Sequence, residues 1–410
     1  MSFDCDVLII GAGPAGSVAG ALLRDAGHDV HIVEKQHFPR FSIGESLLPQ
    51  CMEYLQQAGM LEALGAAGFQ RKNGAAFAWG ARKAAFHFDE QFTAGWDYTW
   101  QVERARFDQI LAEQAQQRGA HLEFGTSVID FQPGGDGVTA TLRDEQGRER
   151  RLRARFALDA SGFGRVLPRL LCLEKPSGFA ARGALFAHIE DRIRGPGFDR
   201  EKILITVHEK RPDVWFWLIP FADGRASLGV VGPPDYFDTL PQDNDAALQA
   251  AVDSEPGLSL LLLASRPLTP ARRQSGYAAA VSQLHGPGYA LLGNAGEFLD
   301  PVFSSGVTIA LHSATLAADV LTRQLGGETV DWQHQFATPL QRGVDTFRSY
   351  VSGWYDGRFQ KVLFHRAPPP AIKRMICSIL AGYAWDQNNP YVQHHQRRLD
   401  TLAELCAQDF

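Results

Sequence analysis

Cysteine is scarce in this sequence, and the five present (Cys5, Cys51, Cys172, Cys377 and Cys406) are scattered and odd in number. That excludes a disulfide-stapled secreted framework and points to reduced thiols in a cytoplasmic protein. No block of Lys or Arg interrupts a formal net charge of -6, so there is no electrostatic footprint for nucleic acid. Long apolar runs are missing as well; one of the longest, residues 258–264, is far too short to cross a bilayer. The N-terminus has no basic n-region, and its apolar stretch reads as a strand, so no signal peptide is expected. The thirteen histidines show no metal-ligand spacing, and no metal is expected. Internal repeats and low-complexity segments are absent. With 45% hydrophobic and 21% charged residues, the composition is that of a soluble globular enzyme. At 410 residues the chain is long enough for two or three structural units.

The clearest signal is at the start. Residues 6–10 form an apolar run rich in β-branched side chains and read as a buried strand. Gly11-Ala12-Gly13-Pro14-Ala15-Gly16 follows, then a stretch of helical composition over 17–26 that stops at Gly27, then a second strand over 29–33 ending at Glu34. This is G-x-G-x-x-G between a strand and a helix, with an acid closing the next strand. Gly11 permits the tight turn, Gly13 lets the backbone approach a pyrophosphate, and Gly16 lets helix and strand pack closely. Phosphates favour the helix start, and Glu34 is placed to accept from a ribose hydroxyl. An ordinary Gly-rich turn would leave Glu34 unexplained.

Along the chain, Arg40 suits a phosphate, an adenine or a plain surface position equally. A helix is expected over 46–67. Lys72 falls in a loop before an alternating strand, where truncating it would cost under about 1 kcal/mol. Residues 84–88 and 97–102 extend a small antiparallel sheet, and a helix follows over 106–118. Strands are expected over 121–124, 128–131, 138–142 and 151–158, the last delivering Asp159 into a Gly-rich turn that ends at Arg165. Further strands are read at 184–189, 203–208, 214–219 and 226–231, and helix over 240–262. Residues 288–295 are a strand entering a Gly turn, and 298–306 lead into a helix over 307–325. The remainder to 410 reads as helical apart from Ala367-Pro368-Pro369-Pro370.

Three distant segments, 11–16, 159–165 and 293–306, together resemble the flavoprotein monooxygenase architecture, in which FAD lies extended across all three. Trp215-Phe216-Trp217-Leu218-Ile219-Pro220 matches the W-x-W-x-I-P signature of flavin-dependent halogenases. Phe298-x-x-Pro301-x-x-Ser304-x-Gly306 matches the second signature of that family, and 38–49, 72–80 and 384–390 look like its phenol- and pyrrole-type members. Taken alone, two same-face aromatics on a strand would be core packing. The resemblance implies an α/β chain: a Rossmann-type FAD-binding fold with an inserted, mostly antiparallel substrate sheet and a helical C-terminal segment. The FAD-binding domain would comprise 1–72, 105–178 and 279–330, the substrate sheet 73–104 and 179–278, and the helical region 331–410.

The same resemblance assigns roles. Gly11, Gly13, Pro14, Ala15 and Gly16 would cradle the pyrophosphate, with Glu34 and Lys35 at the adenosine end. Arg40, Ser46 and Arg104 would lie along the flavin, Asp159 near the pyrophosphate, and Asn294, Asp300 and Gly306 near the ribityl chain and ring. Ser305 and Gly306 would hold the halide, chloride or bromide. Trp215, Trp217, Pro301 and Phe303 would separate flavin from substrate, and Lys72 would guide hypohalous acid; a desolvated lysine loses its proton near neutral pH. FAD would arrive reduced from a separate reductase, since the chain has one nucleotide fingerprint. Where family members usually carry Asp, this chain has Asn294, which raises the question of weaker flavin binding. Tryptophan-specific members have a glutamate where this chain has Phe303, so the expected substrate is a phenol or pyrrole, free or tethered to an acyl carrier protein. The rivals are an FAD-dependent aromatic monooxygenase or reductase of the same fold, and a flavin-binding homologue without turnover.

Overall fold

The computed structural model describes residues 2–134, 136–194, 197–276 and 278–407, so the last three residues of the expected helical region lie outside it. Cys5–Ile10 is buried on both faces, with Val7, Leu8 and Ile9 wholly inaccessible. A strand of that composition needs a parallel neighbour on each side, and it has them: Val30–Glu34 on one flank and Glu149–Asp159 on the other. The first sheet has eight strands, ordered His285–Gly286, Tyr289–Leu291, Glu149–Asp159, Cys5–Ile10, Val30–Glu34, His121–Phe124, with Ser127–Gly134 and Gly137–Arg143 attached as an antiparallel arm. Ile10 is in register with both Val33 and Asp159, and Asp159 with Leu291. The carboxyl ends of these strands therefore share one edge, where open α/β sheets bind ligands.

The second sheet also has eight strands and is mostly antiparallel. Its central strand Trp215–Pro220 is buried throughout. Alternation sorts its side chains between two cores. Trp215, Trp217 and Ile219 join the large core shared with the first sheet and the C-terminal helices, while Phe216 and Leu218 join a second core under Asn244–Asp253. Gly74–Trp79 enters this sheet parallel to Lys202–Val207, and Arg82–His87 closes its edge. The long helix Ser305–Leu325 lies against the fingerprint helix Pro14–Asp25. Thr338–Tyr355, Arg358–Leu363, Pro370–Leu380, Pro390–Gln393 and His395–Cys406 complete the C-terminal helices, with Pro370 in the first turn of the third.

Three expectations are corrected. The helix over 46–67 is two short helices, Cys51–Gln57 and Leu61–Gly65. Pro49 disfavours helix at the residue before it, and Ser46 instead bridges to Gln101. Gly59 then breaks the chain in the left-handed region, at φ 63°. Thr99–Gln101 does not join the large sheet; it pairs with Gln70–Lys72 in a separate ribbon. Lys72 is therefore a strand residue opposite Thr99, and at 1% exposure it is among the most buried side chains in the protein. A cost below 1 kcal/mol for truncating it does not survive that burial.

Candidate functional site

The fingerprint loop runs from Ile10 at the shared strand edge. Gly11 has φ 100°, and a Cβ on Gly16 would lie 1.9 Å from the Gly11 carbonyl oxygen, so both positions require glycine. No side chain caps the start of Pro14–Asp25, which leaves its first N–H groups for an anion. The nearest group to a Cβ placed on Gly13 is the Arg40 guanidinium, at 3.4 Å, so loop and arginine face one another. Ala15 lies in the first turn and is buried. Glu34 is buried, its Oε2 accepting from the Ala12 N–H and its Oε1 from the Gln36 N–H, both at 3.0 Å. Lys35, next in sequence, is exposed.

Sequence reasoning missed the residue that organises this end. Asp108 is wholly buried and takes Arg104 in a fork, Nε to Oδ1 at 2.7 Å and Nη2 to Oδ2 at 3.0 Å. Its Oδ2 also accepts from Arg40 Nη1 at 3.1 Å. Arg104 Nη1 then donates to the Ile43 carbonyl at 2.7 Å, which fixes the segment leading to Ser46. The signal available was the i,i+4 spacing of Arg104 and Asp108 on one helix face.

Asp159 closes the strand beside the fingerprint. Its carboxylate accepts from the N–H groups of Ser161 at 2.9 Å and Leu167 at 2.6 Å, so it shapes the following turn. Burial raises its pKa and these hydrogen bonds oppose the rise. Arg165, left-handed at φ 47°, ties that turn to the third segment by donating to the carbonyls of Asn294 at 3.3 Å and Ala280 at 2.9 Å. Asn294 Oδ1 lies 3.8 Å from where a Cβ on Gly306 would sit. The three expected cofactor segments are thus contiguous in space.

At the other end, Lys72 Nζ donates to Ser46 Oγ at 2.8 Å and to the Leu47 carbonyl at 2.7 Å, over the Phe88 ring. Among the described residues no carboxylate pairs with it. Burial pulls its pKa from 10.5 down to about 7, with the Cys51 thiol opposing slightly. Cys51 Sγ lies 3.1 Å from Thr308 Oγ1, which places the lysine's surroundings against the first turn of Ser305–Leu325. That helix has no side-chain cap, Ser305 at its start is 2% exposed, and Ser304 before it takes the left-handed conformation at φ 56°. Asp300 precedes this turn and Pro301 opens it; Asp300 Oδ1 accepts from the Val302 N–H at 3.0 Å.

Trp215 and Trp217 stand side by side, with ring centroids 6.0 Å apart. Trp217 Nε1 donates to Ser227 Oγ at 3.0 Å, and its ring lies flat over Gly229 on the next strand, where any Cβ would sit 2.3 Å from the indole. Trp215 Nε1 donates at 3.0 Å to Tyr355 Oη, and Tyr355 donates at 2.8 Å to Asp300 Oδ2. Burial raises the Asp300 pKa to about 6, against the pull of Tyr355, the Val302 N–H and Arg182. Arg182 caps the group, its guanidinium 3.4 Å from the Tyr355 ring centre. Phe303 packs edge-on against Trp354 and Phe359. Neither Tyr355 nor Gly229 was read from the sequence: Tyr355 acts on partners 140 and 55 residues away, and the role of Gly229 shows only once its strand is paired in register with Trp217.

The protein-family model described as an FAD binding domain matches residues 4–338. A tryptophan 2-halogenase of Chondromyces crocatus is 32% identical over 336 residues, 78% of this chain, which spans 62% of that relative's own length. The 1H-pyrrole-2-carbonyl-[peptidyl-carrier protein] chlorinase of Pseudomonas fluorescens is 30% identical over 377 residues, 86% of this chain and 82% of the relative. Among solved structures, a flavoprotein/dehydrogenase from Cytophaga hutchinsonii superposes with a TM-score of 0.96 at 46% identity, covering 99% of both chains. The flavin-dependent brominase Bmp2 superposes with a TM-score of 0.84 at 25% identity, covering 99% of this chain and 100% of that one.

Proposed function

Because the chain belongs to the flavin-dependent halogenases and takes FAD as its cofactor, we propose that it halogenates an electron-rich aromatic, a phenol or pyrrole, with chloride or bromide. The observation that carries this reading is Lys72, a fully buried amine with no carboxylate partner among the described residues, whose neighbour Cys51 meets Thr308 in the first turn of an uncapped helix.

The residues fit FAD. The glycine loop leaves its backbone open toward Arg40, and the uncapped helix start suits a pyrophosphate. Arg40 and Arg104, held by Asp108, would meet phosphate and the flavin edge, and Asn294 the ribityl chain. Reduced FAD, delivered by a separate reductase, supplies with oxygen the oxidant that converts halide to hypohalous acid. The N–H groups of Ser305 and Gly306 would hold the halide. Trp215 and Trp217 would keep the aromatic off the flavin, so that only the small oxidant passes. Lys72 Nζ, with a pKa about 7, would either donate a hydrogen bond to hypohalous acid or carry the halogen on its amine. Phe303 leaves no carboxylate at its position, which favours phenols and pyrroles over indoles that need one. The carrier-tethered form of the substrate draws on the pyrrole-carrier relative, and a cytoplasmic location on the scattered free cysteines.

The test is mass spectrometry of products from a panel of phenols and pyrroles, with reductase, oxygen and bromide. In Lys72→Met, which keeps the buried volume, halogenated product per flavin reoxidised should fall roughly 10²-fold or more with FAD binding unchanged. An unchanged ratio removes Lys72 from the chemistry. The 46% identity to a flavoprotein/dehydrogenase favours a second reading, an FAD-dependent oxidoreductase without halogenation. Hydroxylated or dehydrogenated product as the main species would establish that reading in place of the first.

A further inference from the structure

Away from the flavin site, we infer that His31, His121 and Glu123 form a binding site for one divalent transition-metal ion, zinc being the best fit. The strand pairing places them. His31 lies on Val30–Glu34 and His121 on His121–Phe124, parallel neighbours in which these two histidines are register partners. Register partners emerge on the same face, and Glu123, two residues on, returns to it. The rings meet edge-on with centroids 4.3 Å apart, and one ligand atom from each of the three residues lies within 4.8 Å of the others.

The carboxylate is already aimed. Glu123 Oε2 is 2.9 Å from His31 Nε2, and Oε1 accepts from Thr126 Oγ1 at 3.0 Å, the kind of outer contact that orients a ligating group. An ion entering here would displace the proton held between His31 Nε2 and Glu123 Oε2, which now lie 2.9 Å apart. Two imidazoles and one carboxylate select zinc, copper, nickel or cobalt over magnesium or calcium, which prefer all-oxygen shells. His121 is exposed, so an ion has a path from solvent.

One neighbouring group competes. Arg150 forms an ion pair with Glu123 Oε2, placing a guanidinium where the cation would draw on that carboxylate. Removing it should tighten metal binding, whereas removing a partner of a purely structural cluster would not. An ion held here would staple the edge strand of the first sheet to the strand that ends at Glu34. Because it would bind the folded chain only, it should raise the melting temperature in a concentration-dependent way.

The experiment uses the full-length, FAD-loaded protein stripped with EDTA. Zinc chloride is titrated calorimetrically, and cobalt chloride is followed by visible absorption. The expected result is one zinc per chain at micromolar affinity, reversed by EDTA, with cobalt bands that zinc displaces. His121→Ala, at an exposed position, should weaken binding at least tenfold, and Arg150→Ala should tighten it several-fold. Wild-type affinity and stoichiometry in both His121→Ala and Glu123→Gln would overturn the proposal, as would a wild-type protein showing neither heat nor cobalt bands up to 100-fold molar excess of metal. None of these readouts depends on halogenation.

Discussion

The two ends of the proposed flavin site treat buried charge in opposite ways. At the nucleotide end each charge has a full partner: Arg40 and Arg104 share Asp108, and Glu34 accepts two backbone N–H groups. At the reactive end the charges are left short. Lys72 has only neutral acceptors, and Asp300 has a phenol and a backbone N–H. Their pKa values accordingly move toward neutrality from opposite sides, to about 7 and about 6. Matched charge fixes a loop, while unmatched charge sets a proton affinity near working pH, which is what a group that gives and takes protons needs.

Breaking the match at the first end should have the largest effect. Asp108→Ala strands two guanidinium groups in a buried site, and urea unfolding should show a loss of about 3–5 kcal/mol together with weakened FAD binding. A loss below 1 kcal/mol would mean that the arginines are held by something other than Asp108.

At the second end, Tyr355→Phe removes the hydroxyl joining Trp215 to Asp300. Two buried polar atoms lose a partner, so the expected cost is about 1–3 kcal/mol, the Asp300 proton affinity rises further, and halogenated product per flavin falls several-fold. If stability falls and the product ratio does not, Tyr355 is structural only.

The last effect varies with pH and sharpens the contrast. The Lys72 ammonium titrates at 10.5 when exposed and near 7 when folded. Between those values the unfolded chain holds more protons, so stability contributed at this site rises with pH. Below pH 7 both states are protonated and the full burial penalty is felt. Wild type should therefore gain on Lys72→Met by at most about 1.4 kcal/mol per pH unit from pH 7 to 10. Parallel stability curves would show that the folded-state pKa is not depressed.

The same contrast explains what was legible in the sequence. Strands, the glycine fingerprint and the tryptophan strand depend on local spacing, so residues 6–34 and 215–220 could be read directly. The Arg104–Asp108 pair was readable in principle, being one helical turn. The burial of Lys72 was not, because Ser46, Leu47 and Phe88 come from other segments, and its loop assignment failed for that reason. Tyr355 lies 140 residues from Trp215 and 55 from Asp300. His31 is 92 residues from Glu123, so linear metal-ligand spacing could not register them.

The order in which the two sheets are threaded governs the protein's birth as well as its shape. Glu149–Asp159 gains one of its parallel partners only when Tyr289–Leu291 emerges, and Gly74–Trp79 waits for Lys202–Val207. At about 5–20 residues per second on the ribosome, the nucleotide edge stays open for many seconds after its glycine loop is made. Strand edges held open that long invite wrong pairing. Fragments ending before residue 289 should therefore neither bind FAD nor stay in solution, however complete their fingerprint.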